Sequence, residues 1–124
     1  MEYQIDAANK ILGRLATQVA VLLRGKNTAQ FDPAKLPSHT VTVYNTDGLK
    51  ATGKKMIADG KVYLRHTGFH GGQRAETLQE VMNRDSRIAL RRAVMGMLPK
   101  NRLRAQIIKH LILIKKDLKD RSAA

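Results

Sequence analysis

The chain has 124 residues, of which 43% are hydrophobic, and it carries 23 lysines and arginines against 10 aspartates and glutamates, a formal net charge of +13. This hydrophobic content supports one folded domain with a modest core and excludes a disordered basic tail. The absence of cysteine excludes disulfides and thiolate metal sites, and no apolar run is long enough to span a bilayer.

The positive charge is concentrated in the C-terminal half. Residues 1–61 hold 9 basic and 5 acidic residues, whereas residues 62–124 hold 14 and 5. Such a field attracts nucleic acid or an anionic membrane, and it costs the compact state some self-repulsion. We therefore expect a polyanionic partner, bound mainly by the second half. The first six residues lack the features of a signal or transit peptide.

Strand and helix patterns alternate along the first half of the chain. A short strand is predicted over residues 3–7, and a helix over 11–24, where leucines and a valine recur at helical spacing. Gly25 stands where a helix C-cap belongs. Residues 27–40 contain two prolines and are predicted to form a loop before a β-branched strand at 41–44.

The second half is predicted to be mainly helical, after a turn at 45–48, a strand at 61–65 and a Gly-rich loop at 66–74. Helical patterns cover residues 77–83, 88–98 and 103–110. Thr77 and Glu80 have capping-box spacing. The apolar run 111–114 fits either a last helical turn or a buried strand. Interleaved strands and helices favour an α/β layer fold with a small, largely parallel sheet.

The segment Gly48–Lys55 follows a predicted strand and matches the phosphate-binding loop GxxxxGK[ST] at every position except the last. Lys55 replaces the hydroxyl that would ligate Mg²⁺, and residues 56–60 are too few for the helix that such a loop needs. A nucleotide hydrolase is therefore the weaker interpretation, and a plain basic turn is another. We favour contacts from Thr52–Lys55 to the phosphates of a long polyanion.

A second glycine-rich segment, residues 66–72, places two histidines four residues apart. Its three glycines oppose a helix, and no cysteine or acid completes a ligand set, so no metal site is predicted. The segment is either a turn that needs glycine or a place where an RNA backbone comes close. No nucleophile, base and orienting group can be combined, and no catalytic residue is predicted.

The run Gly96–Asn101, GMLPKN, ends a predicted helix with apolar residues, a proline, a cation and an amide. Proline cannot continue the helix, and it biases the preceding residue toward an extended conformation. We expect an elbow that buries Met97 and Leu98 and turns Lys100 and Asn101 to phosphates. The alternative is an ordinary turn between two helices whose basic residues are solvated.

These segments, in this order, resemble the universal large-subunit ribosomal protein family numbered thirteen, in its bacterial form. The resemblance covers about residues 3–114 and is carried by residues 5–7, 11–17, 23–26, 41–45, 52–55, 63, 66–68, 71–72, 93–94 and 96–101. The chain departs from the family pattern at 35–39, before the second strand, and after residue 114. The departure after residue 114 replaces the family's tyrosine-glycine and His-Pro-His-like ending.

The resemblance implies a compact three-layer α/β/α domain, here residues 1–114 followed by a charged tail at 115–124. It also implies no enzymatic activity and no cofactor, but a structural and assembly role in translation, bound to large-subunit ribosomal RNA and neighbouring ribosomal proteins. We expect a cytoplasmic or organelle ribosome, no membrane contact and no homo-oligomer; a free-standing RNA-binding regulator is the alternative. The predicted RNA contacts are Arg14, Arg24, Lys26, Thr52, Lys54, Lys55, Arg65, His66, His70, Gly71, Gly72, Arg74, Arg91, Arg92, Lys100, Asn101, Arg102 and Arg104.

Overall fold

Strands and helices interleave along the chain, as the sequence predicts. The computed structural model describes residues 1–55 and 60–117. The elements in this part of the chain are β1 (Glu2–Asp6), α1 (Leu12–Arg24), β2 (Thr40–Tyr44), β3 (Val62–His66), β4 (Gln73–Thr77), α2 (Leu78–Arg84), α3 (Ser86–Met97), α4 (Leu103–Ile107) and β5 (Leu111–Leu113). Single 3₁₀ turns occupy Thr46–Gly48 and Ile108–His110.

The main sheet is parallel, with strand order β1–β2–β5. Its middle strand, β2, buries three successive residues, Val41, Thr42 and Val43. Because successive side chains of a strand point to opposite faces, both faces of β2 are covered. Because Leu111–Leu113 pairs with β2, the apolar run at 111–114 forms a strand rather than the end of a helix. The predicted α/β fold with a small, mostly parallel sheet is confirmed.

Helix α1 supplies the largest share of the apolar core. Leu15, Val19 and Leu23 are buried in the same cluster as Val41 and Val43 of β2, as predicted. Helix α1 also packs against α3. Gly25 ends α1 in the left-handed conformation, at φ 73°, and its N–H donates to the carbonyl of Leu22. The predicted glycine C-cap is confirmed, and α1 is fixed between the sheet and α3.

Polar caps define where α2 and α3 begin. Thr77 Oγ1 accepts from the N–H of Glu80 at 3.2 Å, and the Glu80 carboxylate accepts from the N–H of Thr77 at 3.2 Å, which confirms the predicted capping box. The Asp85 carboxylate accepts from the N–H of Arg87 at 3.0 Å and caps α3. Each cap satisfies backbone donors that a helix start leaves unpaired.

A buried polar group joins the start of α3 to the turn after β2. Ser86 Oγ donates to a carboxylate oxygen of Asp47 at 2.6 Å, and its oxygen lies 2.8 Å from Thr46 Oγ1. Ser86 and Thr46 are almost completely buried. These hydrogen bonds fix the N-terminus of α3 against the turn at the end of β2.

The predicted loop at 66–74 is wrong at both ends, because β3 and β4 pair as an antiparallel hairpin that includes His66 at one end and residues 73–74 at the other. The turn itself covers residues 67–72. The N–H of Thr67 donates to the carbonyl of Gly72, and the N–H of Gly72 donates to that of Phe69, both at 3.0 Å. A Cβ on Gly72 would lie 2.8 Å from the carbonyl oxygen of Phe69, which the turn holds in place, so this closed turn requires glycine.

The predicted burial at the elbow after α3 is confirmed for Leu98 and wrong for Met97. Leu98 is buried and extended before Pro99, whereas Met97 is 44% exposed because the last turn of α3 directs it away from the core. Its sulfur accepts a hydrogen bond from Thr17 Oγ1 at 3.3 Å. The predicted helix at 103–110 is also shorter, since α4 ends at Ile107 and a 3₁₀ turn follows.

The chain after β5 stays attached to the fold as far as it is described. The carbonyls of Ile114, Lys115 and Lys116 accept hydrogen bonds from the N–H groups of residues 46, 47 and 45. Residues 118–124 of the predicted tail lie outside the described residues, as do residues 56–59 of the segment that was expected to be too short for a helix. The domain boundary at residue 114 stays a prediction.

Leu15→Asp should abolish cooperative folding, because it places an unpaired charge where the wild-type side chain is 1% exposed. We expect a cost above about 4 kcal/mol, a large part of the stability of a small domain. Val21→Asp is the control, since Val21 lies on the exposed side of the same helix. It should cost no more than about 1 kcal/mol. Similar urea midpoints for the two variants would contradict this packing.

Asp85→Asn should lower stability at neutral pH but not in acid. Arg87 donates two hydrogen bonds to the Asp85 carboxylate, at 3.1 and 2.9 Å, and these lower the pKa of Asp85 below its ordinary value of 3.8. A lowered folded-state pKa stabilises the fold above the unfolded pKa, and that stability is lost as the pH falls through and below 3.8.

Asparagine caps helices about as well as aspartate, so the substitution isolates the charge. Because the Arg87 side chain is 46% exposed, we expect a loss of at most about 1 kcal/mol at pH 6. Urea denaturation should show a smaller difference between variant and wild type near pH 2.5. A difference of the same size at both pH values would contradict this assignment.

Candidate nucleic-acid interface

One face of the β3–β4 hairpin carries two arginines directly opposite each other. The antiparallel register pairs Arg65 with Arg74 and Tyr63 with Glu76. Paired residues and residues two apart on a strand share a face, so these four side chains stand together. Like charges directly opposite each other in a sheet are destabilising. An anion bound over this face would relieve the repulsion between the two arginines, so the arrangement favours anion binding.

Two further arginines reach the same face from the helices. The Arg84 guanidinium of α2 contacts the Glu76 carboxylate through both of its Nη atoms, at 2.8 and 3.4 Å. Arg92 of α3 lies 3.6 Å from the same carboxylate, and its guanidinium carbon is 4.9 Å from the centre of the Tyr63 ring. We call this group, Arg65, Arg74, Arg84 and Arg92 around Glu76 and Tyr63, the arginine cluster.

The titration of the two central side chains reflects this environment. The hydrogen bond from Arg84, helped by the positive charges of Arg84, Arg65 and Arg92, lowers the pKa of Glu76 below its ordinary value. Partial burial raises the pKa of Tyr63, and the charge of Arg92 opposes that rise. Glu76 is therefore ionised and Tyr63 neutral at pH 7, and the cluster keeps a net positive charge.

A cavity of about 300 Å³ opens between α1 and α3, next to the arginine cluster. Its floor is mostly apolar, and Thr52, Lys55, Lys61 and Arg92 line it as well. At Gly13 and Gly96, no described atom lies within 4 Å of the position that a Cβ would take, so both helices leave this space open. Lys61 and Arg92 also lie over the Tyr63 ring, which makes the cavity and the cluster one continuous basic surface.

The N-terminus of α1 adds to the positive field at this cavity. Ile11, at the N-cap, has an apolar side chain that cannot cap the helix, and the first turn contains no acidic residue. The positive end of the helix dipole therefore faces the region of Gly13, although the N–H of Leu12 already donates to the carbonyl of Lys50. Arg14 is exposed in the same turn.

The structure brings another set of predicted residues together on the far side of the elbow. Arg24 and Asn101 line one small cleft with Pro99 and Leu103. The Arg24 guanidinium lies 5.4 Å above the ring of Phe31. Asn101 also has a structural use, since its side-chain oxygen accepts from the N–H of Arg104 at the start of α4, at 3.2 Å. We call residues 96–104 together with Arg24 the elbow patch.

The remaining predicted residues are placed less closely together. Thr52, Lys54 and Lys55 are exposed in a turn where Gly53 has a φ of 67°. At the hairpin tip, His70 and Gly71 are exposed, but Gly72 is buried and its backbone groups close the turn. His66 Nδ1 accepts from the N–H of Gly68 at 2.8 Å, which ties this ring to the turn. Lys26, Arg91, Lys100 and Arg102 are exposed, and Arg104 is half-buried.

Sequence reasoning missed Lys61, Arg84 and the two central residues of the arginine cluster as site residues. Apart from Tyr63, which carries part of the family resemblance, none of them lies in a recognised motif, and the hairpin register is what brings Tyr63 and Glu76 together. A cross-strand pairing of the hairpin, had it been predicted, would have placed Arg65 opposite Arg74 and Tyr63 opposite Glu76.

The fold and this surface define a small, strongly basic α/β domain with grouped cations. Within residues 1–55 and 60–117, no group of three or more histidines and acids could hold a metal ion. In the same part of the chain, no helix has the length and apolar character to cross a membrane.

The chain belongs to the ribosomal protein L13 family, whose sequence model matches residues 1–117. It is 46% identical over 109 residues to the large ribosomal subunit protein uL13 of Maridesulfovibrio salexigens, across 88% of this chain and 75% of that protein. The uL13 of Agathobacter rectalis is 44% identical over 90% of this chain and 77% of its own length. For Synechococcus sp. uL13, the identity is 42%, with 91% and 74% covered. The family is not one of enzymes, which sets the nucleotide hydrolase aside.

Proposed function

We propose that the chain binds the long ribosomal RNA of the large subunit as a structural constituent and supports assembly of that subunit. The observation that carries this proposal is the arginine cluster, where Arg65 and Arg74 face each other and two more arginines converge. A fold that holds like charges this close gains from a polyanion that neutralises them. The relatives bear the name of large ribosomal subunit proteins, which supports the same partner.

The chemistry of the surface suits phosphate recognition rather than base reading. Arginine presents a planar fork of donors that matches phosphate oxygens, and lysine adds point charges. Only five of the 124 residues are aromatic, too few for a platform that stacks successive bases. Folded RNA is recognised largely through its shape, its phosphates and its 2′-hydroxyls. We therefore infer that the chain recognises the shape of a folded RNA.

The proposed RNA contacts form two regions joined by the C-terminal half of α3. The first is the arginine cluster with the cavity between α1 and α3, and the second is the elbow patch. Met97 lies at the junction, because it lines that cavity and also belongs to the elbow patch. The exposed hairpin tip, with His70 and Gly71, would extend the first region.

Neighbouring ribosomal proteins are the second class of partner that we propose. Val62 and Leu64 are exposed on the hairpin face opposite the arginine cluster, and Phe69 is 79% exposed at its tip. Grouped apolar side chains of this kind mark interaction sites more often than isolated ones do. Within a ribosome these side chains would be covered while the arginine face meets RNA. The location of the protein would then be that of the ribosome, the cytoplasm in a bacterium.

Lys100→Ala combined with Arg102→Ala should weaken binding to large-subunit ribosomal RNA and make it less dependent on salt. Both side chains are exposed in the elbow patch. Each lost phosphate contact should reduce the slope of log affinity against log salt by about 0.7–0.9, so we expect a slope flatter by roughly one to two. The measurement is filter binding or electrophoretic mobility over a salt series.

Lys10→Ala combined with Lys109→Ala is the matched control, since it removes the same charge from two exposed lysines outside the proposed regions. The control should change affinity less and leave the slope nearly unchanged. Equal effects of the two double variants would mean that the elbow is only a turn between helices and does not contact the RNA. Wild-type protein that does not associate with large-subunit RNA would refute the proposed function itself.

A further inference from the structure

Glu76 is a negative charge at the centre of a surface that would bind a polyanion. Its side chain is only 20% exposed, and its carboxylate contacts both Arg84 and Arg92. Judged by charge alone, it should weaken RNA binding, because it repels phosphate and neutralises part of the cluster. A carboxylate in this position needs either a structural or a functional reason.

The contacts indicate what Glu76 does to the two arginines. The Glu76 carboxylate accepts hydrogen bonds from both Nη atoms of Arg84. The Arg92 guanidinium lies between the same carboxylate and the face of the Tyr63 ring. An arginine side chain that is free in solution loses rotamer entropy when it is immobilised. Arginines that are already ordered in the free protein lose less when phosphate binds.

Both guanidinium groups remain available to a ligand despite these contacts. The Arg84 side chain is 55% exposed and that of Arg92 is 37% exposed. Each guanidinium has five N–H donors, of which a carboxylate uses at most two. The outer edges can therefore meet phosphate oxygens while the inner edges stay on Glu76.

We propose that Glu76 is a positioning residue of the RNA interface, which raises affinity for RNA by ordering Arg84 and Arg92 although its own charge opposes binding. This inference rests on the proposed RNA-binding function. It makes a prediction whose sign is opposite to that of simple electrostatics.

The test compares Glu76→Gln with Glu2→Gln in the full chain, each bound to large-subunit ribosomal RNA at the same salt concentration. Both substitutions remove one negative charge and keep the shape of the side chain, and Glu2 is an exposed residue at the start of β1. Glu2→Gln should leave affinity unchanged or improve it by less than about twofold. Glu76→Gln should weaken binding by about three- to tenfold.

A second background separates positioning from a general effect on the hairpin. In a chain that already carries Arg84→Ala and Arg92→Ala, Glu76 has neither of these arginines to order. Glu76→Gln should then leave binding unchanged or tighten it, which reverses the sign seen in the wild-type background. A thermal melt of each variant without RNA shows that the domain is folded in the assay.

The outcomes divide cleanly. Weakening by Glu76→Gln in the wild-type background, absent in the Arg84→Ala/Arg92→Ala background, supports the inference. Binding by Glu76→Gln as tight as by Glu2→Gln overturns it, as does equal weakening in both backgrounds. Failure of the wild-type chain to bind this RNA would instead refute the proposed function.

Discussion

Mutual repulsion among the basic side chains is the constraint on which this structure depends. A formal net charge of +13 on 124 residues opposes a compact state. The register of the hairpin adds to this repulsion by placing Arg65 directly opposite Arg74. The fold withstands this because it has one well-covered core to which both helices and strands contribute. Helix α1, with Leu15, Val19 and Leu23 buried, is packed between the sheet and α3.

The few carboxylates are placed where they pair with basic side chains or hold the helices that carry them. Glu76 joins the hairpin to α2 and α3 through Arg84 and Arg92, and Asp85 caps α3 while it pairs with Arg87. Asp47 accepts the Ser86 hydroxyl and so holds the start of the same helix. These contacts hold the N-terminus of α3 in place, so the rest of the helix reaches the basic surface in a defined position. Its other end turns at Pro99 into the elbow patch.

Local signals in the sequence predict much of this fold. Helical periodicity over 11–24, glycine at its C-cap and the β-branched strand β2 all depend on neighbours along the chain, and each is confirmed. The capping box at Thr77 is likewise a local pattern. The family was also identifiable from the sequence, because its motifs occur in a specific order over most of the chain.

The hairpin and the arginine cluster could not be predicted in the same way. Strand β4, QRAET, has a single β-branched residue, Thr77 at its end, and no alternating apolar pattern, and it is a strand because it pairs with β3. The meeting of Arg84, Arg92 and Glu76 requires the pairing register and the packing of two helices at once. Met97 was wrongly expected to be buried because its exposure depends on how the last turn of α3 meets α1.

The central claim is that the like-charged hairpin face is maintained for an anionic partner. Arg74→Thr tests it most directly when stability and RNA binding are measured on the same protein. Relief of the repulsion with Arg65 should raise the free energy of unfolding by about 0.2–1 kcal/mol at low salt, while affinity for large-subunit ribosomal RNA should fall severalfold and its salt slope flatten by about one. A variant that loses stability while its RNA affinity is unchanged would contradict the account.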